Sequence, residues 1–139
     1  MISIKEVREA IRNVLITGTV IADTSIAWEG RKFDPTGKTI WLQELIAPDT
    51  ETSLTEQLST VLVAVQYNVV TPAGSGTEAA ETLVNSIKAL FSINATATNT
   101  ITLTSGDKLT IESIEQIPAE TIDAWRYTGV RLYLTINEG

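Results

Sequence analysis

Gly37-Lys38-Thr39 carries the closing residues of a phosphate-binding loop, in which backbone amides cradle phosphate, the lysine reaches its oxygens and the hydroxyl holds magnesium. That chemistry needs a glycine five residues before Gly37, where Lys32 stands, and a helix afterwards, for which there is no pattern. The segment therefore reads as a hairpin loop. Gly74-Ser75-Gly76 precedes a helix start, where free amides favour an anion. Ser75 and Glu78 have the spacing of a reciprocal helix cap, however, and Glu78 and Glu81 would repel an anion, so a structural turn is expected there. The acidic residues Asp23, Glu29, Asp34, Glu44, Asp49, Glu51 and Glu56 lack the tight alternation of a calcium loop and read as a solvated acidic surface. Asn94-Ala95-Thr96 has the form of a glycosylation acceptor, but no signal peptide is evident and no role is assigned to it.

The missing residue types narrow the chemistry further. The chain of 139 residues contains no histidine and no cysteine. Ser-His-Asp and Cys-His catalysis, thiolate metal sites, disulfides and histidine pH switches are thereby excluded. Ten basic against seventeen acidic residues give a net charge of −7, the wrong sign for affinity built on neutralising phosphates. Charged residues make up only 19% and the mean hydropathy is +0.11, so apolar surface is expected to be buried between subunits. No transmembrane span is evident in the sequence, and no cofactor is implied.

The elements that would position any site follow from periodicity. Ser3 is the expected N-cap of an amphipathic helix of about three turns, with Ile4, Val7, Ile11, Val14 and Leu15 on one stripe and Gly18 just beyond it. A short strand is expected around Trp28, then a loop. Thr39 to Ala47 reads as a strand in which Ile40, Leu42 and Ile46 share a face if the register breaks once near Gln43 or Glu44. Pro48 should end it, leaving Asp49 to Leu58 as a loop or hairpin tip. Ser59 to Val70 alternates strictly and predicts a long central strand. Ala80, Leu83, Val84, Ile87, Leu90 and Phe91 predict a second helix. After a polar connector at 94–99, Ile101 to Leu103 and Leu109 to Ile117 predict a hairpin that Pro118 ends, with a loop over 119–123. Trp125 to Ile136 reads as the last strand, with Val130, Leu132, Leu134 and Ile136 on one face. The fold class is α+β: an antiparallel or mixed sheet with two helices on one face, in a single domain over residues 1–139.

Aromatic residues and arginines supply the interface candidates. Trp28 and Trp41 flank the loop region and suit anchoring of a partner, while Arg126 and Arg131 on the last strand suit ion pairs between subunits. Core placement of the tryptophans, and exposed charge that discourages edge pairing, are the plainer alternatives.

The run from Val65 through Thr71-Pro72-Ala73-Gly74-Ser75-Gly76-Thr77 to Ala89-Leu90-Phe91 resembles the tail terminator, or tail completion, proteins of long-tailed bacteriophages. In that family an N-terminal helix precedes loops with aromatic residues, and a strand ends in a Pro-Ala-Gly-x-Gly-Thr turn into a helix closing with Ala-Leu-Phe. Ile4 to Leu15, Trp41-Leu42 and Trp125-Arg126-Tyr127 fall in the expected order. The resemblance implies a structural virion protein without catalytic, cofactor or metal residues. It implies a homo-oligomeric ring, six-membered in the family, on the head-proximal end of the tail tube, which stops tube polymerisation and offers a docking surface to the head connector. It further implies that DNA passes through the lumen without specific binding, that no membrane is involved, and that assembly takes place in the host cytoplasm. The competing readings are a head-tail connector or neck protein, a metal-dependent enzyme with an acidic site, and a protein-binding adaptor that forms no ring.

Overall fold

The computed structural model describes residues 4–55, 58–94, 100–103 and 106–137, so the expected cap at Ser3 and the connector expected at 94–99, apart from Asn94, which ends a helix, lie outside the described residues. Helix α1 (Ile4–Gly18) buries Val7, Ile11 and Leu15, one residue per turn on a single stripe. At 15 residues it makes about four turns, one more than expected. Gly18 is its last residue, and the left-handed position that ends it belongs to Thr19 (φ 50°). The glycine serves packing instead, because a Cβ at Gly18 would overlap the Leu90 side chain where the two helices cross.

A one-turn 3-10 helix (Asp23–Ser25) leads into strand β1 (Ile26–Ala27), which pairs in parallel with Leu42 and Gln43 of β2 (Trp41–Thr55). Strand β2 does not end at Pro48. It forms a long hairpin with β3 (Leu58–Pro72), so that 49–55, expected as part of a loop or hairpin tip, belongs to the strand, with a bulge between Asp49 and Thr52. Among the described residues the outer side of β2 beyond Gln43 has no strand partner, so the N–H that Pro48 lacks costs no ladder bond. The break expected near Gln43 or Glu44 is also absent: Leu42, Glu44 and Ile46 alternate without interruption onto the buried side.

Helix α2 (Glu78–Asn94) buries Ala80, Leu83, Val84, Ile87 and Phe91, the stripe read from the sequence. Its first backbone bond runs from the Glu81 N–H to the Thr77 carbonyl (2.9 Å), which makes Thr77 the N-cap position. Ser75 stands outside the helix and its hydroxyl donates to the Pro72 carbonyl (2.7 Å), so the expected Ser75/Glu78 cap is not formed.

Strands β4 (Thr100–Thr102) and β5 (Lys108–Ile122) make the expected hairpin, with Thr102 opposite Lys108. Strand β5 runs through Pro118 rather than stopping, with a bulge between Ile117 and Glu120, and only Asp123-Ala124 separates it from β6 (Trp125–Asn137). The expected loop over 119–123 is thus mostly strand. As at Pro48, the proline lies where the outer side of its strand is unpaired among the described residues, because β4 covers β5 only to Thr110.

The sheet order is β1-β2-β3-β6-β5-β4, antiparallel except for β1. The inner residues of β3 and β6 (Val65, Tyr67, Val69, Val130, Leu132, Leu134) form one core with both helices. The fold is α+β, two helices on a mixed six-stranded sheet in a single domain. Among the described residues no helix is long and apolar enough to cross a membrane.

Candidate interface on the open sheet face

Side chains alternate across a strand, so each residue that points to the helices leaves its neighbour on the opposite face. Trp41, Gln43 and Leu45 of β2, Gln66, Asn68 and Val70 of β3, and Tyr127, Gly129, Arg131 and Tyr133 of β6 share that second face. It divides into an aromatic end and a polar middle.

At the aromatic end, Trp41 is packed by Phe33 (ring centroids 4.9 Å), Trp125 (5.9 Å, edge-on) and Tyr127 (6.5 Å, edge-on). Phe33 reaches it from the loop between β1 and β2. Trp41 is only 7% exposed, and its Nε1–H has no acceptor among the described residues. In the polar middle a side-chain ladder crosses three strands. Asn68 Nδ2 donates to Gln43 Oε1 (3.0 Å) and Gln66 Nε2 to Asn68 Oδ1 (2.7 Å). Arg131 donates to Gln66 Oε1 through Nε (3.0 Å) and Nη2 (2.6 Å). Gly129 lies beside this chain, where a Cβ would come within 2.9 Å of Ile117 Cβ and 3.0 Å of Gln66 Nε2. A crevice of about 230 Å³ opens between the ladder and the Ile117–Ile122 part of β5.

On the helix side a buried charge network fixes the neighbouring elements. Glu44 is 1% exposed and accepts from Arg12 Nε (2.9 Å), the Tyr67 hydroxyl (2.9 Å) and the Glu29 backbone N–H (3.3 Å). Burial pushes the Tyr67 phenol well above its ordinary value, and the adjacent Glu44 charge pushes it the same way. The Glu29 carboxylate in turn accepts the Ile46 N–H (3.0 Å) on the outer side of β2. Arg12 also lies 5.1 Å from the ring centroid of Trp28, whose Nε1 donates to Asp23 (2.9 Å).

The four interface candidates are therefore separated. Trp41 and Arg131 lie on the open face. Trp28 is 7% exposed within the core, and Arg126 points to the helix side of β6, where Nη1 donates to Thr128 Oγ1 (3.3 Å). Gln43, Gln66, Asn68 and Gly129 were not singled out from the sequence, although the strict alternation of β3 already set Gln66 and Asn68 opposite its apolar face. Glu44, expected on a solvated acidic surface, is buried. Gly37-Lys38-Thr39 is a turn: Lys38 N–H donates to the Pro35 carbonyl (2.9 Å) with Gly37 at φ 79°. Just before it, the Thr36 hydroxyl and N–H donate to Asp34 and hold its carboxyl below the usual value. A groove of about 800 Å³ runs along the start of α2 between Ile21, Ile40 and Leu83, with Glu78 at its rim. Among the described residues no three carboxylates converge to hold a metal ion.

The family model described as phage tail terminator protein matches residues 6–128. No curated protein matches. One solved structure, itself without a functional name, superposes with a TM-score of 0.73 over 100% of this chain and 99% of its own, at 20% identity, which is a likeness of fold alone. The matched span takes in both helices and the sheet as far as Thr128, and on that span the chain belongs to the phage tail terminator family.

Proposed function

We propose that this chain caps the head-proximal end of a completed tail tube as a closed ring of six copies. The ring stops further tube polymerisation and presents a docking surface to the head connector. It is assembled in the host cytoplasm and stays in the virion at the junction of tail and head. The observation that carries the reading is the open sheet face, with its aromatic end and its tied polar ladder, on a chain whose other sheet face is covered by both helices. A ring built from one repeated contact needs two different patches on each subunit, and the two ends of the strand order offer two different edges. The net charge of −7 suits a lumen through which DNA slides without adhering.

The test is tube length. Tube protein polymerised with this chain present should give tubes of limited length bearing one capped end, and unrestricted tubes without it. Tubes that grow equally long in both cases would overturn the reading. Binding to DNA-filled heads that lack tails, with no effect on tubes, would assign the chain to the connector side of the junction instead.

A further inference from the structure

The two sheet edges carry different exposed charges: Arg31 and Lys32, flanked by Glu29 and Asp34, beside β1 and β2, and Glu115 and Glu120 on β5. Beside β1 and β2, the Arg31 N–H donates to the Trp28 carbonyl (3.1 Å) and Phe33 is seated on Trp41. Those two anchors hold exposed Arg31 and Lys32 at that edge of the open face. Three strands across, β5 carries Glu115 and Glu120, both exposed and, by their pairing with Arg131 and Tyr127, both on the open face. Ile122, 48% exposed, follows two residues after Glu120. Among the described residues the outer side of β5 beyond Thr110 has no strand partner.

The two edges also match in height. Trp41 pairs with Val70, Val70 with Tyr127 and Tyr127 with Glu120, so the basic loop seated on Trp41 and the carboxylate of Glu120 stand at the same level along the strands. In a ring with cyclic symmetry every residue keeps its height along the axis, and a contact that closes the ring joins opposite edges of successive copies. When the strands run along the axis, a basic group on one edge meets whatever stands level with it on the other.

We infer that the Arg31-Lys32 loop of one copy docks on the Glu115, Glu120 and Ile122 edge of the next, and that this is the contact between subunits of the ring. The occupant is a second copy of this chain, chosen by charge complementarity between two edges of one sheet, and the inference rests on the ring reading above. Exposed ion pairs contribute modest affinity, so the charges select the correct edge and orientation while Ile122 and its surroundings supply apolar area.

The test is sedimentation of the full chain over a concentration series, comparing wild type with Arg31→Glu/Lys32→Glu, with Glu120→Lys, and with all three changes together. Glu115 is left intact because it stands opposite Arg131. The altered residues are exposed, and equal melting midpoints will establish that each variant is folded. Each partial reversal should weaken self-association about tenfold or more, and the combined variant should recover most of it. Wild type that associates with no response to either reversal would overturn this surface and leave the terminator reading intact. A wild type monomeric throughout would overturn it as a self-association site, and the tube-length assay then decides the terminator reading separately.

Discussion

Arg12 on α1 donates to Glu44 on β2 across 32 positions of sequence, with Nε 2.9 Å from Oε1, and the carboxylate it meets is 1% exposed. The pair joins the first helix to the sheet, and the Tyr67 hydroxyl and Glu29 N–H complete the shell around the carboxylate. Removing one member of such a pair leaves an uncompensated buried charge. Arg12→Met should cost about 3 kcal/mol, the lower end of the usual range, because the Arg12 side chain keeps 17% of its surface in water. Glu44→Gln alone should cost about 1–3 kcal/mol. In the Arg12→Met background the same change should be neutral or stabilising, because it removes the stranded charge while keeping an acceptor for Tyr67. Urea denaturation of the four proteins measures this. An equal cost of Glu44→Gln in both backgrounds would show that the two side chains are not coupled.

The same network gives an alkaline pH dependence. Tyr67 has its phenol raised well above 10.0, chiefly by burial and then by the Glu44 charge. A group whose folded value lies above its unfolded value contributes stability that is complete below the unfolded value, and loses it as pH rises through the folded one. Stability should therefore decline from about pH 10 upward with a component belonging to Tyr67. In the near-ultraviolet titration one tyrosine should ionise only as the chain unfolds, and Tyr67→Phe should remove that component. A Tyr67 phenol that titrates reversibly near its ordinary value in the folded protein would contradict the burial argument.

What was legible in the sequence was what periodicity alone determines. The α2 stripe and the alternation of β3 and β6 carry directly into burial, because a helix or a half-buried strand shows its inner face within a few residues. Pro48 and Pro118 look like stops in the sequence, yet both strands run through them, because the cost of a missing N–H depends on whether a neighbouring strand needs it, and strand order is set by tertiary pairing. The burial of Glu44 is hidden for a related reason: its position between Leu42 and Ile46 suggests a break, and the partner that permits its burial is far away in sequence. Of the interface candidates, Trp41 and Arg131 share a face only because β2, β3 and β6 are neighbours.

Gly129 tests whether the polar ladder is tightly built. A methyl group there would come 2.9 Å from Ile117 Cβ, 3.0 Å from Gln66 Nε2 and 3.1 Å from Asn68 Oδ1. Ile117 Cβ is tied to the backbone of β5 and cannot swing aside, so β5 must shift or the Gln66 to Asn68 bond must break. Gly129→Ala should destabilise the chain by about 1–3 kcal/mol, the usual cost of overpacking. Thermal melting checks the loss, and the amide side-chain resonances of Gln66 and Asn68 should move with it. Unchanged resonances and an unchanged midpoint would mean that the crevice has slack.

Glu29 closes the outer side of β2 where β1 leaves off. Past Gln43 the outer side of the strand has no strand partner among the described residues, yet its Ile46 N–H is taken by the Glu29 carboxylate at 3.0 Å, and two residues on Pro48 has no N–H to offer. An edge whose outward donors are occupied or absent is a poor template for a foreign strand. Glu29→Ala should free the Ile46 amide and speed its hydrogen exchange roughly ten- to a hundredfold, the loss of one bond to a charged acceptor. Exchange at Val69, inside the paired region, should change only by whatever global stability is lost. The variant should also gain a tendency to associate through this edge, visible as concentration-dependent light scattering. If Ile46 exchanges at the wild-type rate, the carboxylate does not guard the edge, and the resistance of β2 to strand addition must come from β1 and Pro48 alone.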